Sequence, residues 1–377
     1  MKKTTFSILC LEGAILSFNV AAASALIPSI AADFALSQFF VGKIIWLYML
    51  PYGLAAFFYG PLVRIVDARR VELICIFLFS LANLLAGLSP NISILFISRF
   101  LMGLFGASVI PLGLILIAKR IEQSKRGTFI GIFFGSTFIA SLLGLFLSGF
   151  IYWRMIFIIP AILGFSLWVF MFIYLPNFRE GFGNFRFGYL RAFKDQQVIR
   201  IFIYIFLISL IYHAVQQWLG VYFSTQFLLN QFTISTLITL TSLSGVFGEF
   251  WGGSLCDKLS RQKIVTIGIA VMMGCIFALL MKLPVSLLSV IMILWGIGWT
   301  FNHVGLATML TDLPGEFLNE AASLNSGVRF ISGGIGACLG GVLMHKSFHL
   351  GFSVFGASLL AMLFLTNYMK RRQWAGD

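Results

Sequence analysis

The chain has 377 residues, of which 59% are hydrophobic and only 10% charged. A soluble domain of this size carries charge on nearer a quarter of its residues, so a globular cytosolic fold is excluded. The formal net charge of +13 does not signal nucleic acid binding, because the basic residues sit in short polar gaps between long apolar runs.

Those runs are long enough to cross roughly 30 Å of hydrocarbon, and in lipid only a helix satisfies its own backbone. In chain order the predicted spans lie near 5–28, 39–60, 71–89, 91–117, 128–151 and 155–176, then 200–223, 234–255, 264–282, 284–310, 321–344 and 350–368. Lys2, Lys3 and the small residues Ala21 to Ala25 mimic a cleaved leader peptide. Glu12 and Asn19 interrupt that run, and its loss would move the C-terminal Lys370-Arg371-Arg372 cluster across the membrane, so it is read as the first span. The gaps then alternate sides. Lys2-Lys3, Arg64 to Arg70, Lys119 to Arg126, Arg179 to Arg200, Lys258 to Lys263 and Lys370 to Arg372 fall on one side, against Lys43, Arg154, Lys282 and Lys346 on the other. The positive-inside rule makes the first side cytoplasmic, with both termini there, in a plasma (cytoplasmic or inner) membrane.

The longest polar gap divides the chain into an N-terminal six-helix bundle (1–176), a cytoplasmic linker (177–199) and a C-terminal six-helix bundle (200–377). A shift of 193 residues carries Gly60 onto Gly253, Leu62 onto Leu255, Arg70 onto Lys263 and Gly103 onto Gly296. Repeated halves with a site between them are a recurrent transporter plan. The cysteines Cys10, Cys75, Cys256, Cys275 and Cys338 are scattered without a CxxC pair and are read as packing residues.

Three segments carry a recognisable pattern. After span 8 the chain reads Gly253, Asp257, Lys258, Arg261 and Lys263, with Ser260 where a glycine is usual. After span 2 it reads Gly60, Arg64, Asp67, Arg69 and Arg70, with Asp67 three residues late. Span 4 places Arg99, Gly103 and Gly106 on one face. These resemble the signature loops and the span-4 motif of the major facilitator superfamily, and Trp153-Arg154 resembles the family's usual start to span 6. The resemblance implies an all-α membrane protein of twelve transmembrane helices in two six-helix bundles, in which helices 1, 4, 7 and 10 line a central cavity. It is most like the twelve-span drug–proton antiporters, although span 5 lacks their Gly-Pro signature.

Polar residues inside spans are costly and mark function by default. Span 1 holds Glu12 and Asn19, and span 4 holds Arg99. Span 7 holds His213, Gln216 and Gln217, and span 10 holds Trp295, Trp299, Asn302 and His303, each set on one helical face. Arg329 follows Asn325 on span 11. The candidate cavity and coupling residues are therefore Glu12, Asn19, Arg99, His213, Gln216, Gln217, Trp299, Asn302, His303 and Arg329. The candidate gating residues are Gly60, Asp67, Arg70, Gly253, Asp257, Lys258 and Arg261. Glu12 is the carboxylate expected to couple protons, with Arg99 nearby, while Glu249 is assigned to a structural ion pair near the cytoplasmic end of span 8. The glycines of spans 8 and 11 suit close helix contact.

No GxxxxGK[ST] loop, HExxH motif or paired aspartates occur in the chain, so neither an ATPase nor an intramembrane enzyme is expected, and no cofactor or metal. The expected function is secondary active transport of a small molecule by alternating access. Its leading form is proton-coupled export of a lipophilic or amphiphilic compound. The alternative is proton-linked import of a small polar metabolite, for which Gln216, Gln217, Asn302 and His303 form the site. The expected partners are that substrate, protons and the lipid bilayer, with no nucleic acid, and the expected state is a monomer.

Overall fold

The computed structural model describes residues 3–63, 65–177, 196–311 and 315–373, and every regular element among them is helical. Among the described residues, eleven helices have the length and hydropathy needed to cross a membrane. They are α1 (Lys3–Ala25), α2 (Gln38–Leu62), α3 (Ala68–Gly87), α4 (Ile92–Ile117), α5 (Phe129–Leu147), α6 (Met155–Tyr174), α7 (Val198–Gln226), α9 (Arg261–Leu279), α10 (Val285–Met309), α11 (Leu324–Lys346) and α12 (Phe348–Thr366). The twelfth place is filled by α8 (Gln231–Lys258), a helix of 28 residues. Its Ser, Thr and Gly content and Glu249 keep its hydropathy below that of the others.

Local signals set the ends. Asn91 caps α4 by accepting from the Ile94 amide at 3.0 Å, and Asn230 caps α8 by accepting from Thr233 at 2.9 Å. Asp67 caps α3 by accepting from Arg69 N, satisfying one of the amides a helix start leaves unpaired. Four spans are broken by turns rather than continuous: α1 at residues 18–21, α2 at Gly42, α4 at 107–108 and α7 at 217–218. α1 and α7, the first spans of their halves, are both among them. Interrupted helices at related positions are a transporter's way of exposing backbone beside a binding site.

Glycines let the helices approach to backbone contact. A side chain at Gly103 of α4 would strike the Tyr48 carbonyl oxygen of α2, and one at Gly144 of α5 would strike that of Phe18 in α1. In the C-terminal half Gly336 and Gly340 of α11 lie against the Leu210 and Ala214 carbonyls of α7. The two halves meet where α2 packs on α11 and α5 packs on α8.

On the side of the protein away from the termini, Arg154 clamps the N-terminal half. It pairs with Asp33, at the end of the short helix Ile27–Asp33, at 3.1 Å, and donates to the Ser89 carbonyl at 2.6 Å. Slight burial pushes the Asp33 carboxyl up, but hydrogen bonds from Tyr152, Arg154 and Trp153 and the Arg154 charge outweigh it and hold the group below its usual range.

Candidate functional site

Between the halves lies a cavity of about 280 Å³, walled by Met49 of α2, Phe138, Ser141 and Leu142 of α5, and residues of four C-terminal helices, α7, α8, α10 and α11. Those four contribute Tyr212, His213, Thr241, Glu249, Trp299, His303, Arg329 and Phe330. Tyr212 and Trp299 stack with centroids 3.9 Å apart, making one extended aromatic face. The His213 ring stands edge-on to Trp299 at 5.7 Å. His213 Nδ1 lies 2.8 Å from the Ser209 carbonyl, which assigns the ring proton to Nδ1 and leaves Nε2 as an acceptor in the neutral form.

Charge enters the wall at two points. Glu249 Oε1 is 2.6 Å from His303 Nδ1, and both side chains are 31% exposed. Arg329 is only 8% exposed. Its Nε donates to Asn325 Oδ1 at 2.8 Å, while Nη1 and Nη2 are buried without a hydrogen-bond partner. Thr241 Oγ1 is likewise buried and unpartnered on the same wall.

Of the residues singled out from sequence, the structure brings together His213, Trp299, His303 and Arg329 here. The others lie elsewhere. Gln216 accepts from Trp295 Nε1 at 2.8 Å, tying α7 to α10. Asn302 donates to the Gly298 carbonyl at 2.8 Å and packs on Gly268 and Met272 of α9. Gln217 sits half-buried in the α7 turn. Asn19 donates to Asn83 Oδ1 of α3 at 2.6 Å. Arg99 donates to the Ile44 carbonyl at 3.0 Å, with its guanidinium 4.4 Å above the Tyr48 ring.

Glu12 is 0% exposed, and so is Glu72 of α3. The two carboxyls interact electrostatically, and none of their four oxygens has a hydrogen-bond partner. Arg99 is not among the charges that act on Glu12; Glu72 stands in that place. Sequence reading passed over Glu72 because it sits at the edge of span 3 beside Arg69 and Arg70, where a carboxylate looks like a surface partner. Tyr212 was missed as one aromatic among many.

Among the gating residues, Asp67 caps α3 and Arg69 ties that loop to α6 through Asn177 Oδ1 at 3.0 Å and the Phe172 carbonyl at 2.7 Å. Gly60 is half-buried in α2, and Arg70 and Lys258 are exposed. Arg261 Nη1 donates to the Thr308 carbonyl at 3.4 Å. The backbone of Gly253 and Asp257 lies within α8, but their side chains, like Arg64 and residues 178–195 of the linker, lie outside the described residues.

Away from the termini a set of hydrogen bonds latches the halves together. Gln231 of α8 accepts from Ser29 at 2.6 Å and donates to the Ala25 carbonyl at 2.9 Å and to Ser235 at 3.0 Å. Ser235 in turn lies 2.9 Å from Ser148 of α5, and Gln38 donates to Ser224 at 3.1 Å. Each such bond is worth about 0.5–1.5 kcal/mol net. Gln231→Ala is therefore expected to move the population toward the state open on this side. The check is alkylation of a cysteine placed at Ser235, which should speed up several-fold relative to the same cysteine beside Gln231.

Twelve membrane helices in two halves, latched together on one side of an aromatic cavity that also holds charged groups, fit a membrane transporter rather than an enzyme. The chain belongs to the Major Facilitator Superfamily, which its residues 9–341 match. It is 23% identical over 359 residues to the uncharacterized MFS-type transporter YceJ of Bacillus subtilis (strain 168), covering 92% of this chain and 90% of that one. It is 24% identical over 352 residues to a probable sugar efflux transporter of Helicobacter pylori (strain P12), covering 90% and 89%. Azole resistance protein 1 of Saccharomyces cerevisiae is 28% identical over 178 residues, which span 45% of this chain and 29% of that longer protein. The fold matches a solved bacterial homolog of the human lysosomal transporter Spinster, inward-facing and unoccupied, with a TM-score of 0.77 at 12% identity over all of both chains. It matches the nucleoside transporter NupG with a TM-score of 0.78 at 14% identity, over 99% of this chain and 100% of that one.

Proposed function

We propose that this transporter exports an amphiphilic small molecule in exchange for protons, across a cytoplasmic membrane with both termini inside. The observation that carries the reading is the Glu249–His303 contact of 2.6 Å in the wall of an aromatic cavity. A carboxylate and an imidazole in contact form a site that gains and loses a proton, and here a substrate entering the cavity meets it directly. The Tyr212–Trp299 face and Phe330 offer apolar surface for the substrate's body. The basic gaps on the terminal side support the orientation. Relatives named for azole resistance and sugar efflux are consistent with export.

Glu12 and Glu72 form a second titratable pair, enclosed within the N-terminal half, and serve the cycle from outside the cavity. Glu12→Gln is expected to leave substrate affinity within about twofold while slowing exchange. The check is a binding titration beside a flux assay in proteoliposomes. Unchanged gradient-driven flux in Glu12→Gln would remove this pair from the coupling scheme.

Import of a polar metabolite is the second reading, favoured by His213 and Thr241 in the wall. It is weakened because Gln216 accepts from Trp295 of α10 and Asn302 donates to the Gly298 carbonyl of its own helix, away from the cavity. The direction in which protons and solute move in proteoliposomes decides between the two.

A further inference from the structure

The Arg329 guanidinium is 8% exposed and carries two NH₂ groups without a hydrogen-bond partner, in the wall of the cavity between the halves. A buried charged donor left unpaired is costly, and native proteins leave such groups where something else completes them. Nε is already committed to Asn325, so the free edge of the fork is the pair of Nη nitrogens. That edge matches two coplanar oxygens, the geometry of a carboxylate. The Trp299 ring centroid is 5.9 Å from the guanidinium carbon, and Tyr212 extends that ring by stacking on it. A ligand whose carboxylate meets Arg329 would therefore lay a planar body along the aromatic face.

The opposite charge in the wall does not reverse this. Glu249 Oε1 is engaged by His303 at 2.6 Å, and Glu249 is the more exposed of the two charges. Glu249 acts on Arg329 electrostatically, but it leaves both Nη groups without a hydrogen-bond partner, so the buried charge with free donors is the cation. Thr241 Oγ1, also unpartnered, adds a neutral hydrogen-bonding group on the same wall. Arg99, the other arginine inside a span, does not line this cavity; it is bonded to the Ile44 carbonyl and covered by the Tyr48 ring.

We propose that the cavity takes amphiphilic carboxylates, with the carboxylate held by Arg329 and a planar apolar body against Trp299 and Tyr212. This rests on the export reading only for the direction of movement; the binding chemistry stands apart from it. The volume of about 280 Å³ suits a small ligand, at the lower edge of ordinary ligand pockets.

The test is an equilibrium titration of the purified full chain in detergent, read by quenching of tryptophan fluorescence. Three probes share one ring system and differ in charge: 2-naphthoate, 2-naphthamide and 2-naphthylmethylammonium. The wild type is expected to bind the carboxylate at least tenfold more tightly than the amide or the ammonium. Arg329→Gln is expected to erase that difference while leaving the amide's affinity unchanged, and Arg329→Lys to restore part of it. Elution volume and melting temperature of the variants establish that they are folded, and the three probes on the wild type decide the matter even if a variant is not. Failure of the carboxylate to bind, an ammonium or amide that binds as tightly, or undiminished carboxylate preference in a folded Arg329→Gln protein would each overturn the proposal. Carboxylate binding without proton-linked flux would overturn the export reading and leave this one standing. Proton-linked flux of cations with no carboxylate preference would do the reverse.

Discussion

Glu249→Gln is expected to bind substrate and equilibrate it across the membrane, yet fail to accumulate it against a gradient. Each unit of pH difference supplies about 1.4 kcal/mol per proton, so a one-for-one exchanger concentrates substrate about tenfold per pH unit. Glutamine keeps the shape and the contact with His303 but cannot carry the proton. Accumulation in proteoliposomes should fall from that tenfold ratio to unity, while counterflow, which needs no proton, persists. Loss of counterflow as well would assign Glu249 to binding or folding rather than to coupling. Intact accumulation would move the proton to His303, His213 or the Glu12–Glu72 pair.

Gly336→Ile is expected to be strongly damaging although it lies away from the cavity. The α-carbon of Gly336 lies so near the Leu210 carbonyl that any β-carbon collides with backbone, and backbone cannot step aside as a long side chain can. Overpacking of this kind costs about 1–3 kcal/mol or more, and here it also pushes α11 from α7. The Ser209–Arg329 carbonyl bond of 3.0 Å and the seat of His213 lie on that contact. The expected result is a marked fall in melting temperature together with loss of ligand binding. Gly131→Ile is the matched control, since a β-carbon at Gly131 meets nothing within 4 Å. Equal loss from both substitutions would show that the α7–α11 contact is not special.

The spans were legible because two strong forces write them plainly: the cost of unpaired backbone in lipid, and the bias of Lys and Arg to one side. Even α8 was readable, although its hydroxyls, glycines and Glu249 dilute its hydropathy. The turns at 18–21 and 217–218 were not, because neither holds a glycine or proline and Phe18-Asn19 and Gln217-Trp218 read as ordinary helix. The turns at Gly42 and at 107–108, between Gly106 and Pro111, do carry such marks.

The site was half legible for a related reason. Spacing says which residues share a face but not what that face meets. Asn302 and His303 are neighbours about 100° apart around α10, and that rotation sends Asn302 into α9 and His303 into the cavity. Gln216, on the same face of α7 as His213, is instead taken up by Trp295 of α10. Arg329 could be named from sequence as an ionisable group in a span, but the absence of partners for its Nη atoms is a tertiary fact. Glu72 and Glu249 hid at the ends of spans, where a carboxylate beside loop bases looks structural.

The measurement that bears most directly on the whole account is proton movement in proteoliposomes carrying a trapped pH dye and an imposed gradient, challenged with aromatic carboxylates, lipophilic cations and common metabolites. The account predicts that at least one amphiphile dissipates the gradient through the wild type and not through Glu249→Gln. A gradient that decays at the same rate with and without compounds that the purified protein binds would contradict it.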